Sequence, residues 1–363
     1  MVKAFDYKSS LQEIKIEILE AVDTVLESGQ LVLGPETTLF EKEFAEFVGV
    51  RHCIAVSSGT TALYLSLWAC GVGQGDEVIT VGNTCAPTAA AIRQVGARPV
   101  FVDVRESDLL IDPKRVEAAM TKDVRCILPV HLWGLAAPIE ELRDIADRYN
   151  ICLIEDCAQA HGTLVQGRQV GVFGRAGCFS FYPTKNLGAY GDAGAVVTND
   201  DDLADRLRAM RVYGYDSNRV SQLDGMNARI NEMQAAILRV KLRVFPKWLE
   251  KRLATAEFYR DHIARSGAHV PQPRSDSRSS YHQFVIRDPN RDYLAKYLKS
   301  QGVDVGIHYP VPLHHMPAFR KSDARGVSLP VTEQAANEIL SLPCHEALSR
   351  EDAEKVVDAV NSA

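Results

Sequence analysis

The sequence contains no CxxC pair, although it carries eight cysteines in 363 residues. Cys53, Cys70, Cys85, Cys126, Cys152, Cys157, Cys178 and Cys344 are scattered, several inside apolar runs such as Cys152-Leu-Ile. That distribution predicts reduced, buried thiols in a cytoplasmic protein rather than a disulfide framework. Long apolar runs are missing too: none approaches the ~18 to 20 residues that cross a bilayer. The opening MVKAFDYKSSLQEI has no apolar core ahead of a cleavage-like site, so no signal peptide is expected. Nor is there an excess of positive charge. The 41 Lys and Arg against 47 Asp and Glu leave a formal net charge of −6, mixed along the chain. A nucleic acid or an anionic membrane is therefore not expected as the main partner. Internal repeats and low-complexity tracts are also lacking.

What is present is the composition of a packed globule, 46% hydrophobic and 24% charged. Leu11, Ile14, Ile18, Val22 and Val25 recur at helical spacing across residues 9–28, closed by Gly29, and a second amphipathic helix over 36–48 ends at Gly49. Short apolar runs and helical patterns then alternate. Strands are expected at 53–56, 77–81, 99–102, 126–130, 151–155, 178–182 and 195–198, and helices at 60–70, 87–95, 112–120, 139–149 and 201–211. Nearly continuous apolar strands alternating with helices predict an α/β fold with a mostly parallel sheet covered on both faces. The pattern breaks near Pro246. A helix over 247–265, a polar loop at 271–280, and strands at 281–286 and 303–309 suggest a smaller α+β part. The expected division is a large domain, 1–245, and a small one, 246–363.

Three features fall where strands end, the edge at which open α/β sheets place their sites. Ser57-Ser58-Gly59-Thr60-Thr61 closes one strand and opens a helix; free N–H groups beside a hydroxyl suit a phosphate, and a Ser/Thr helix cap accounts for the same residues. Asp156 ends a buried strand and needs a cationic or hydrogen-bonding partner, which a protonated ring nitrogen, a helix cap or a metal would each supply. Gln159 and His161 follow closely. Lys185 sits in a turn after Pro183, between an apolar strand and Gly188, Gly191 and Gly194. A lysine so constrained can lose its proton and attack a carbonyl. Phosphate donors, a ring-nitrogen acid and a Schiff-base lysine together are what a pyridoxal-phosphate enzyme requires.

Other residues have plainer readings. His314-His315 lacks a plausibly spaced third ligand, so no metal is expected and a polar loop is favoured. Trp68, Trp133 and Trp248 read as packing residues. Arg229 suits either a bound carboxylate or pyrophosphate, or a helical pair with Glu232.

The residues resemble the DegT/StrS family of sugar aminotransferases, of fold type I. The resemblance rests on SSGTTAL (57–63), GARPVFVDV (96–104), EDCAQAHG (155–162), FSFYPTKNLGAYGDAGAVVTND (179–200), GMNARINEMQAAILRVKL (225–242) and HYPVPLH (308–314), and spans nearly the whole chain. It implies pyridoxal 5'-phosphate bound covalently to Lys185, with Asp156 on the ring nitrogen and Gln159 beside the ring. Ser58, Gly59, Thr60 and Ser180 would hold the phosphate, and Asn227 would reach the neighbour's phosphate across a homodimer interface. His308, Tyr309, Tyr182 and Arg229 would lie on the side of a nucleotide-linked, dTDP-type keto-deoxysugar, aminated with L-glutamate as donor. The lysine segment resembles the 3-keto more than the 4-keto branch; a keto-cyclitol acceptor and a binding regulator without turnover are the alternatives. Dehydratase relatives carry histidine at the lysine position. One departure is Cys85, where many relatives place an aromatic residue that stacks on the cofactor ring.

Overall fold

The computed structural model describes residues 1–320 and 327–363. Its centre is a seven-stranded sheet of β1 His52–Val56, β2 Glu77–Val81, β3 Arg98–Val102, β4 Val124–Ile127, β5 Cys152–Asp156, β6 Ala176–Ser180 and β7 Gly194–Thr198. The spatial order is β1-β7-β6-β5-β4-β2-β3. β2 pairs in parallel with β3 and β4, β4 with β5, and β5 with β6, whereas β7 runs against both β1 and β6. The expected α/β fold with a mostly parallel sheet is therefore what forms. Every residue of β2, β6 and β7 is buried, which is why these strands read as unbroken apolar runs rather than as alternation.

Helices cover the sheet as the periodicity predicted, with ends displaced by a residue or two. The first two are Tyr7–Ser28 and Pro35–Val48, closed by Gly29 and Gly49 at φ 64 and 83, a left-handed backbone that glycine adopts without strain. Ile139–Tyr149 turns Ile139, Leu142, Ile145 and Ala146 inward, the 3.6-residue stripe of a helix lying on a sheet.

Two expectations for the C-terminal part need correction. The helix placed at 247–265 begins at Glu232 and runs unbroken to His262, with Pro246 inside it. Proline removes one helical hydrogen bond and crowds the preceding turn, at roughly 3 kcal/mol. Phe245, Trp248 and Leu249 are all buried around it, and fully burying such side chains yields ~1.5–3 kcal/mol each, so continuing the helix wins. The strand expected at 303–309 is reduced to isolated bridges, Val2 to Val303 and Gly306 to Ser341. Beyond the long helix, Phe284–Arg287 pairs antiparallel with Ile339–Leu342. A second apolar core, including Tyr259, Phe284, Leu294, Leu340 and Val356, gathers there.

Candidate active site

A cavity of about 300 Å³ opens at the C-terminal edge of the sheet, within the size range of small-molecule sites. β1, β2, β5 and β6 deliver residues to it, and each arrives for a local reason.

At the end of β1, Ser58 caps the helix Gly59–Ala69, its Oγ accepting the Thr61 N–H at 3.1 Å. The Gly59 and Thr60 N–H groups belong to the first helical turn, where no intrahelical acceptor exists, and both residues line the cavity. A Cβ on Gly59 would lie 2.5 Å from Ser180 Cβ. Only glycine lets the end of β6 bring the Ser180 hydroxyl against the helix start. The result is a cradle for an anion.

β5 ends in two acids that do different work. Glu155 accepts from the Gly171, Phe173 and Gly174 N–H groups at 2.7–2.8 Å and from His131 Nε2 at 3.0 Å. His131 Nδ1 accepts the Ala137 N–H, which assigns the imidazole proton to Nε2. Glu155 is thus a fully committed tie to the 171–174 loop. Asp156 instead lines the cavity, with one oxygen accepting from Thr88 Oγ1 at 2.9 Å and the other from the Ala158 N–H at 3.1 Å. Burial pushes its carboxyl pKa up, while those two donors and the charges of Lys185 and His131 pull it back. Gln159 is held at both ends of its amide: Oε1 accepts the Trp133 N–H at 2.8 Å and Nε2 donates to Tyr309 OH at 3.0 Å.

Lys185 follows β6 in a turn closed by its own N–H on the Tyr182 carbonyl at 2.8 Å. Its amine makes no hydrogen bond among the described residues. Burial lowers its pKa, with Asp156 and then Cys85 opposing. A desolvated amine of this kind is a better base and nucleophile at neutral pH than an exposed lysine. Around it stand His161, His282 and His308, each with its pKa lowered, first by burial and then by the lysine charge. His161, pushed down to about 3, packs 5.3 Å from Phe179 and 5.5 Å from Phe181 between ring centroids. Its imidazole is neutral throughout the working range.

Cys85 lines the cavity at the start of the helix Ala86–Gln94 and reaches Tyr309, whose phenol is pushed up by burial and then by Cys85, with Gln159 opposing. In place of an aromatic face, this wall of the pocket carries a thiol close to a tyrosine.

The chain matches the DegT/DnrJ/EryC1/StrS aminotransferase family over residues 12–361. It belongs to that family. It is 44% identical to the dTDP-3-amino-3,4,6-trideoxy-alpha-D-glucose transaminase of Micromonospora megalomicea subsp. nigra, over 98% of this chain and 97% of that protein. It is equally 44% identical to the erythromycin biosynthesis sensory transduction protein EryC1 of Saccharopolyspora erythraea, over 98% of both chains. Among solved structures, S. venezuelae DesV in complex with a ketimine intermediate superposes with a TM-score of 0.97 at 41% identity, covering 99% of this chain and 98% of that one.

In this family member, Ser58, Gly59, Thr60, Cys85, Asp156, Gln159, Ser180, Tyr182 and Lys185 all line one cavity. Asn227 and Arg229 do not. Asn227 is exposed and accepts from Arg229 Nε at 2.9 Å. The helical pair of Arg229 with Glu232 does not form, because the helix begins only at Glu232, whose carboxylate takes the Gly34 and Thr37 N–H groups. His308 lies behind the wall, its Nδ1 on Ser341 Oγ at 2.9 Å and its carbonyl accepting from Trp133 Nε1 at 2.9 Å. Trp133, expected to be packing alone, therefore ties Gln159 to the 308–309 segment. The fold also brings the third side chain that spacing did not offer His314-His315: Glu333 Oε1 lies 3.2 and 3.6 Å from their Nε2 atoms and accepts the Leu329 N–H at 2.9 Å. The expectation that no third ligand stands near His314-His315 is therefore corrected: three ligand-type side chains are gathered there, with a hydrogen bond between His314 and Glu333. All eight cysteines are free, and no helix among the described residues is long and apolar enough to cross a membrane. Thr88, the donor to Asp156, had no sequence signal; its role follows from a helix position beside β5 that spacing alone does not reveal.

Proposed function

We propose that this aminotransferase uses pyridoxal 5'-phosphate to replace the C3 keto group of a dTDP-linked deoxysugar with an amine, taking nitrogen from L-glutamate. The observation that carries the reading is the meeting, in one cavity, of a desolvated lysine, a buried carboxylate and an anion cradle at a helix start. These residues fit the cofactor. Gly59, Thr60 and Ser180 supply donors for its phosphate, and Asp156 is a buried acid in need of a cationic partner such as a ring N–H. Lys185 has an uncommitted amine. Bound there, the cofactor supplies an electron sink for a carbanion.

The chain's own residues do the rest. Lys185 would hold the cofactor and, when its amine is free, would take the proton from the donor's α-carbon as general base and deliver it as general acid to the cofactor's carbonyl-derived carbon. Thr88 and Ala158 donate to Asp156 and oppose the upward push of burial on its pKa. Gln159, clamped by Trp133 and Tyr309, presents a fixed amide to the cavity. The sugar assignment draws on the M. megalomicea and DesV likenesses. We further propose a cytoplasmic homodimer, in which Asn227 and Arg229, outside their own cavity, serve the partner's site alongside the exposed Tyr213 and Tyr215.

The test is spectroscopic. Purified protein given the cofactor should be yellow, L-glutamate should bleach it, and a 3-keto dTDP-sugar should restore the colour with release of an amino sugar. The Lys185→Ala variant should lose turnover by several factors of ten, each worth about 1.4 kcal/mol. The S. erythraea relative is named a sensory transduction protein; a binding regulator without turnover would require cofactor binding with no bleaching by any amino donor.

A further inference from the structure

The loop that carries Lys185 is gripped from behind. Three side chains hold its backbone or its flanks: Asn186 donates to the Ser280 carbonyl at 3.0 Å and meets His282 Nδ1 at 3.1 Å, Gln234 Oε1 accepts the Tyr190 N–H at 2.9 Å, and Lys241 Nζ donates to the Gly188 carbonyl. Lys241 is the unusual member. It is 6% exposed, and no carboxylate among the described residues forms an ion pair with it. Its ammonium sits 4.3 Å from the centre of the Tyr190 ring. A small cavity of about 30 Å³, room for a water, is lined by Lys241 together with Lys185, Arg252 and Glu346. Burying an ammonium without a carboxylate partner is costly, and an apolar side chain of similar length would serve packing better. Gly188 itself cannot be replaced, because a Cβ there would lie 2.6 Å from the Pro183 carbonyl oxygen. The turn is therefore tight where Gly188 meets Pro183, and the Gly188 carbonyl accepts from the buried ammonium.

We infer that Lys241 is a positioning residue for Lys185: by holding the Gly188 carbonyl and the Tyr190 ring from outside the 300 Å³ cavity, it sets where the Lys185 amine stands. This rests on the reading of Lys185 as the reacting lysine, but its first test does not depend on that reading.

The experiment compares Lys241→Met, which removes the donor, with Lys241→Gln, which keeps one. In cofactor-free protein, hydrogen exchange of the amides at 185–190 should quicken on the order of tenfold in Lys241→Met and recover in Lys241→Gln, as loss of one hydrogen bond to a charged group implies. Exchange elsewhere and the thermal midpoint should be unchanged or improved. In the holoenzyme, Lys241→Met should lower kcat by about tenfold or more with the KM for the amino donor unaltered, because a misplaced base costs rate rather than binding. Faster exchange across the whole chain with a lowered midpoint would make Lys241 a fold-supporting residue and overturn the inference. So would equal loop exchange in wild type and Lys241→Met, or equal behaviour of the Met and Gln variants. If the loop responds as expected but no variant, wild type included, transaminates, the functional reading fails while the positional one stands.

Discussion

Replacing Thr88 by valine tests what opposes the rise in the Asp156 pKa that burial causes. The substitution conserves volume in a buried place and removes the hydroxyl that donates to Asp156 Oδ2 at 2.9 Å, leaving only the Ala158 N–H at 3.1 Å on the other oxygen. Burial already raises this carboxyl's pKa, and Thr88 is one of the groups opposing the rise. A hydrogen bond to a charged group is worth about 1.5–3 kcal/mol. Its loss removes about that much stabilisation of the ionised form, so the Asp156 pKa should rise further. The sign follows. A carboxylate that takes up its proton earlier leaves the site with a neutral acid over more of the acid range, so the acid limb of the kcat/KM profile should move to higher pH. The carboxyl carbon of Asp156 in cofactor-free protein, followed by NMR titration, should shift likewise, and the cofactor should bind more weakly at pH 6 than in wild type. An acid limb that stays in place, with an unmoved Asp156 titration, would refute the assignment of Thr88 as a residue that opposes this rise.

Gly59→Ala should force apart the helix start and Ser180, since the new methyl would lie 2.5 Å from Ser180 Cβ. Overpacking of this kind costs about 1–3 kcal/mol, and an absorbance titration should show cofactor affinity reduced by about tenfold or more. Acid should destabilise the protein through His161, whose folded pKa is about 3 against about 6.5 when unfolded. Its contribution is complete above the unfolded value and is lost as pH falls toward the folded one, at about 1.4 kcal/mol per unit. Urea unfolding at pH 6.5 and pH 5 should therefore give a stability drop about 2 kcal/mol smaller in His161→Phe than in wild type.

The legible parts of the chain share one property: their signal is local. β1, β2, β5 and β7 are apolar runs with turn residues at their ends, and the cavity residues Gly59, Asp156 and Lys185 sit at strand termini, where chain order alone places them on one edge. The illegible parts depend on contacts distant in sequence. Thr88 reaches Asp156 across 68 positions and Gln159 reaches Tyr309 across 150; neither spacing has a period to betray it. Pro246 misled in a different way. Proline is a reliable breaker where a helix is held only by its own hydrogen bonds, but here buried Phe245 and Trp248 flank it and hold the helix in place. Arg229 was offered a helical partner that exists only if the helix starts earlier than it does.

The unbroken helix Glu232–His262, roughly 46 Å long at 1.5 Å per residue, is a single rod with fittings along its length. Near its start Glu232 receives the Gly34 and Thr37 N–H groups. Gln234 and Lys241 grip the lysine loop, and Arg252 reaches the carbonyls of Tyr281, His282 and Cys344. A cut or insertion at the proline would therefore not separate two self-sufficient halves. It would sever the part that grips the Lys185 loop from the part that is anchored in the C-terminal core, and coexpressed fragments 1–245 and 246–363 would have to rebuild that rod before the loop could be held again.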